Sequence, residues 1–138
     1  MSEENVEIVR SIYEAVNRKD WDAAFRDQRP DVELITPPGI RAGTYRGREE
    51  VQGYFEEWLT PFDEWSVLPE EFAESGDQVV AVLRLRAQPK GSKAEIDIRT
   101  GQLWTLRDGK TLSCRIFPKP ADALEAAGLS ARPGPATS

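Results

Sequence analysis

No histidine occurs among the 138 residues. Its absence removes His-ligated zinc, Ser-His-Asp and Cys-His nucleophiles, and the side chain that most often moves protons near neutral pH. Cysteine occurs once, at Cys114, so no internal disulfide framework is available and a reducing cytoplasm suits the chain. That thiol has no histidine to activate it and reads as an inert strand residue. No apolar run approaches the ~20 residues that a bilayer crossing needs. The start, Met1-Ser2-Glu3-Glu4, is acidic, and Glu7 and Arg10 break the first apolar stretch, so no signal peptide is expected. Gly43, Gly47, Gly101 and Gly109 form no phosphate-cradling pattern, and no P-loop, EF-hand or dinucleotide fingerprint is found. Metal, nucleotide and flavin cofactors are therefore expected to be absent.

Apolar residues make up 39% and charged residues 30%, the proportions of one globular domain. The formal net charge of −6 conceals an asymmetry. Ten acidic residues and no basic one lie between Glu49 and Leu83, whereas Arg84 to Lys119 holds nine basic and three acidic residues. The acidic doublets alternate with Val51, Phe55, Trp58 and Phe62, as on the solvated face of amphipathic structure. The basic residues alternate along strands instead of forming a tract, which argues against nucleic acid as a partner.

Val6, Val9, Ile12, Tyr13 and Val16 recur at helical spacing, with capping chemistry at Ser2 and a polar break at Asn17-Arg18-Lys19-Asp20. A short second helix is expected from about Asp20 to Asp27, stopped by Arg29-Pro30-Asp31. A strand follows over 32–36, closed by Pro37-Pro38-Gly39, then a turn at 45–48 and a third helix over 48–59 ended by Pro61. After Trp65 the period changes to two. Strands are expected over 67–73, 78–87, 93–106 and 111–117, with turns at Ser75-Gly76-Asp77, Pro89-Lys90-Gly91-Ser92 and Arg107-Asp108-Gly109-Lys110. A short helix over 121–127 ends at Gly128. Residues 1–129 are expected to make one domain and 130–138 a flexible tail. Helices first and a meander afterwards predict an α+β fold with one curved antiparallel sheet.

The stretches Glu4–Arg10, Tyr13–Trp21, Pro30–Glu33, Tyr45–Val51, Trp104–Lys110 and Ala123–Leu129, in this order and spacing, resemble the SnoaL-like (polyketide-cyclase-type) branch of the NTF2-like superfamily. The resemblance implies a cone-shaped barrel, with N-terminal helices packed on a strongly curved antiparallel sheet. It does not imply one activity, because that superfamily includes ketosteroid isomerase, scytalone dehydratase, limonene epoxide hydrolase, polyketide cyclases and members that only bind or scaffold.

Threaded on the ketosteroid isomerase pattern, the chain places Ile12 at the tyrosine, Thr36 at the base and Gly101 at the oxyanion acid, so all three roles are lost. Tyr13 is one residue away, about 100° around a helix. Gln102 stands where many SnoaL-like chains carry histidine; it hydrogen-bonds but does not transfer protons at neutral pH. The remaining candidates for catalysis are Asp97 and Arg99, two apart and so on one strand face. If that face is concave they meet inside the cone, with Glu33 as a further acid in the manner of the epoxide hydrolase branch. If Ile96 and Ile98 pack inward instead, the pair is solvated. Tyr13, Thr36, Tyr54, Trp58 and Gln102 are the candidate ligand-pocket residues.

Three functions compete: a histidine-free enzyme acting on a hydrophobic or polyketide-like molecule, a ligand-binding module without turnover, and a dimeric scaffold with a filled cone. A homodimer through the convex sheet face is expected, with Trp104, Ile96, Ile98 and Leu106 forming its apolar patch.

Overall fold

A computed structural model describes residues 2–37 and 43–129. Four helices, α1 (Ser2–Asn17), α2 (Trp21–Ala24), α3 (Arg48–Leu59) and α4 (Pro120–Ala126), combine with six strands. The strands are β1 (Gln28–Thr36), β2 (Gly43–Arg46), β3 (Phe62–Ser75), β4 (Gln78–Pro89), β5 (Ile96–Arg107) and β6 (Lys110–Phe117). They form one curled sheet in the order β2-β1-β6-β5-β4-β3, antiparallel except where β1 lies parallel to β6. The expected α+β barrel is the observed fold.

The differences from the expected elements have local causes. The helix begun at Trp21 stops at Ala24, with Asp20 Oδ1 capping Ala23 N at 3.2 Å. Arg29-Pro30-Asp31 belongs to β1, not to a helix stop; the β1–β6 register is irregular between Gln28 and Glu33, and a proline there removes no ladder bond. β2 occupies part of the expected turn, because Glu33 to Thr36 pair with Arg46 to Gly43 as a short hairpin. β3 begins at Phe62 rather than Val67, its acidic first half paired with the end of β4. Pro38, Gly39 and the tail 130–138 fall outside the described residues, as does the Ser2 side chain.

The tight turn at Asp108-Gly109 has φ of 53° and 77°, and two positive values in sequence match the right-handed twist of the flanking strands. On the inner sheet face, Val79, Ala81 and Leu83 of β4 and Trp104 and Leu106 of β5 are buried against Val9, Ile12 and Tyr13 of α1. A smaller outer core joins Val80 and Leu103 to Ala123, Leu124 and Ala127 of α4. Gly101 is what lets α4 approach there: a β-carbon on it would lie 2.7 Å from that of Ala123.

Candidate functional site

Between the inner sheet face and helices α1 and α3 lies a cavity of about 300 Å³. α1 contributes Ile12, Tyr13 and Val16, one turn of its apolar stripe, and α3 contributes Tyr54, Phe55, Trp58 and Leu59. The sheet supplies Thr36 of β1, Val67 of β3, Leu83 and Leu85 of β4, and Ile116 of β6. β5 supplies Ile98, Thr100, Gln102 and Trp104, every second residue. Tyr13, Gln102 and Trp104 are buried at the inner end, whereas Trp58 and Ile98, 38% and 44% exposed, mark the mouth.

Tyr13, Thr36, Tyr54, Trp58 and Gln102 thus all line one cavity. Ile12 and Tyr13 both reach it, since the cavity spans more of α1 than the 100° between them. The Thr36 hydroxyl is committed to Gly43, accepting from its N–H at 2.8 Å and donating to its carbonyl at 3.1 Å.

Asp97 and Arg99 lie on the other face of β5 and do not touch the cavity. Nor do they pair with each other. Arg84 donates Nε and Nη2 to Asp97 at 2.8 and 2.6 Å, and Arg99 donates Nε to Glu70 at 2.7 Å across β4. Arg86–Glu95 at 2.8 Å extends this outer row. Arg84 and Arg99 are direct cross-strand neighbours, an unfavourable like-charge pairing that the two intercalated carboxylates offset. The Arg84 hydrogen bond holds Asp97 below the usual carboxylate range, and the Arg99 hydrogen bond does the same for Glu70. Glu33 pairs outside the cavity too, with Arg46 at 2.9 Å.

The reason for this correction is a one-residue register slip. Threading Gly101 inward carries Asp97 and Arg99 with it; in the structure Gly101 faces α4, so Gln102, Thr100 and Ile98 face the cavity. The expected convex apolar patch fails for the same reason. Trp104 and Leu106 are core residues at 1% and 0% exposure, and Ile98 is at the cavity mouth.

Thr100 was not among the sequence candidates. Its signal was the alternation of Ile96 and Ile98 with Asp97 and Arg99, continued to Gln102.

The polar groups at the inner end form a chain. Trp104 Nε1 donates to Tyr13 Oη at 2.7 Å, and Tyr13 Oη donates to Gln102 Oε1 at 2.6 Å. The Tyr13 and Trp104 rings meet edge to face with centroids 6.2 Å apart. Burial pushes the Tyr13 phenol well above its ordinary range, so it stays protonated. No Asp, Glu, Lys, Arg or Cys is among the described residues that line the cavity. Cys114 is buried beside it, and burial raises its thiol far from the thiolate range. Among the described residues no group of acidic or cysteine side chains is placed to hold a metal ion, and no helix is long and apolar enough to cross a membrane.

Solved structures share this architecture. One is an NTF2-like protein of unknown function from Burkholderia pseudomallei, 25% identical, with a TM-score of 0.76 over 88% of this chain and 95% of that one. TerC, co-crystallised with polyporic acid, is 22% identical with a TM-score of 0.76 over 91% and 98%. A protein of ketosteroid isomerase-like fold from Catenulispora acidiphila, in complex with trimethylamine, is 19% identical with a TM-score of 0.72 over 94% and 98%. No curated protein matches the chain. The SnoaL-like domain model matches residues 9–113, the span that holds α1 from Val9 onward, α2, α3, strands β1 to β5 and the first half of β6. The chain belongs to the SnoaL-like domain family.

Proposed function

We propose that the protein binds a small, uncharged, largely apolar molecule of aromatic or polyketide-like character in the cavity between α1, α3 and the sheet, and binds it without acid–base turnover. The observation that carries this is the lining: about 300 Å³ walled by apolar and aromatic side chains, with polar groups but no ionised one among the described residues. That volume lies at the lower end for small-molecule sites, ~300–1,000 Å³. General acid–base catalysis needs a group that changes protonation near the working pH. Asp97, Arg99 and Glu33 are held in outward-facing ion pairs, and Tyr13 stays a neutral phenol. A charged ligand would lose water without gaining a counter-charge from the described lining residues. TerC and the Catenulispora protein, two neighbours of the same fold, each carry a small molecule in their structures.

Titration with the neutral fluorescent probe N-phenyl-1-naphthylamine tests this. Saturable binding is expected, and Val16→Phe, which fills part of the cavity from α1, should abolish it while the far-ultraviolet spectrum is retained. Absence of saturable binding by the wild type would sink the proposal.

A homodimer across the outer sheet face is part of the same proposal, in a reducing compartment suited to the free Cys114 thiol. What favours that face is the exposed Leu68, 41% accessible, set among side chains of alternating charge that a two-fold partner can match. Sedimentation at micromolar concentration should return twice the monomer mass; a monomer would refute it.

A further inference from the structure

Resting on the binding function proposed above, we infer that the inner end of the cavity is a hydrogen-bond donor site for the carbonyl oxygen of an uncharged ligand, with Gln102 as donor and Tyr13 and Trp104 as the positioning residues that set its polarity. The reasoning starts at Trp104, whose indole can donate but cannot accept. Its N–H is donated to Tyr13 Oη, so the phenol proton must be used elsewhere, and it goes to Gln102 Oε1. With its oxygen occupied, the Gln102 amide turns its nitrogen away from Tyr13. That nitrogen has no protein partner among the described residues, is not sealed off, and belongs to a side chain only 8% exposed that lines the cavity.

Turning the amide over would place its N–H groups against the phenol proton, two donors in contact at a buried site, and would strand the chain back to Trp104. The orientation is therefore maintained by two residues that need not touch the ligand through their polar atoms. Burial reinforces it by keeping Tyr13 protonated. Thr100, two residues before Gln102 on the same strand face, presents a second hydroxyl about 7 Å along the cavity wall. It has no protein partner among the described residues and can serve a second ligand oxygen. An oxygen acceptor on an otherwise apolar body satisfies this end. A ligand whose only polar group is a donor meets donors.

Three tricyclic molecules of nearly equal shape separate the alternatives: 9-fluorenone, an acceptor; fluorene, with neither donor nor acceptor; and carbazole, a donor. Calorimetric titration of the wild type should find fluorenone about five- to tenfold tighter than fluorene, the worth of one such hydrogen bond, and carbazole no tighter than fluorene. Gln102→Leu should equalise fluorenone and fluorene. Tyr13→Phe frees Gln102 Oε1, so carbazole should gain and the fluorenone preference should shrink; a merely structural role for Tyr13 would weaken all three alike. If all three bind the wild type equally, or carbazole binds tightest, the donor site is overturned while the binding function stands. If none binds, both fall together.

Discussion

Asn17 closes the open edge of β3 by binding both backbone groups of Val67: its Nδ2 donates to the Val67 carbonyl at 2.8 Å, and its Oδ1 accepts from the Val67 N–H at 2.8 Å. β3 is an outer strand of the sheet, and a side chain that imitates a neighbouring strand blocks pairing there. It also ties the last turn of α1 to a residue of the cavity wall. Asn17→Ala should cost about 1 kcal/mol in urea unfolding, and amide exchange at Val67 should accelerate more than at the buried β4 residues. Unchanged exchange at Val67 would contradict this.

Gly101 and Ala123 make the next prediction. Adding one methyl at Gly101 sets two β-carbons 2.7 Å apart and crowds the Pro120 backbone, with its Cα at 3.0 Å, so Gly101→Ala should destabilise by about 1–3 kcal/mol. Ala123→Gly should recover part of that loss in the double variant beyond simple addition of the two single effects. Strict additivity would show that the contact does not govern the packing of α4.

Asp97→Asn should leave the affinity for N-phenyl-1-naphthylamine within about twofold, because an exposed ion pair on the outer face is weakly coupled to anything inside. Thr100→Val, on the cavity side of the same strand, should leave fluorene affinity unchanged or improved. A large loss of binding in the Asp97 variant would mean that β5 has the opposite facing.

Acid stability follows from the outer ion pairs. Asp97 and Glu70 have folded-state pKa values lowered from 3.8 and 4.5, chiefly by hydrogen bonds from Arg84 and Arg99. The stability they contribute is complete above those ordinary values and is lost as pH falls through the lowered ones. Urea midpoints should therefore be insensitive to these two groups between pH 5 and 8 by this linkage, and should fall below about pH 4. Asp97→Asn should flatten that acid limb.

Tyr13 acts at the opposite end of the scale. Its pKa is raised from 10.0 by burial, so the unfolded chain releases this proton before the folded one does. Its contribution is intact below pH 10.0 and is lost as pH rises toward the raised folded value. Tyr13→Phe should reduce the alkaline slope of stability, measured in the same urea series.

Much of the architecture could be read from the residues. α3 is bounded by Arg48 and Leu59 as its helical period and the following Pro61 indicate, and the Asp108-Gly109 hairpin needs only two residues that tolerate positive φ. The lack of histidine already removed the usual proton carrier from any pocket. The sequence asymmetry of charge also had a structural meaning, since acidic β3 lies beside basic β4 and supplies Glu70 to Arg99. These features are local, or follow from counts that folding cannot change.

The facing of β5 was not local. From Gly101 onward both faces of that strand are buried, Leu103 under α4 and Trp104 and Leu106 under α1. Alternation of apolar and polar residues therefore loses its meaning just where register must be judged. A slip of one residue moves every side chain across the sheet, and only the packing of two different helices on the two faces decides which set points inward. The sequence by itself determined most of the elements, though not β2 or the bounds of β1 and β3, together with an α+β fold on one curved sheet and the absence of a histidine site. The tertiary structure alone decided that Gln102 and Thr100 face the cavity while Asp97 and Arg99 face away, because that choice is made by what covers each side of the sheet and not by the strand.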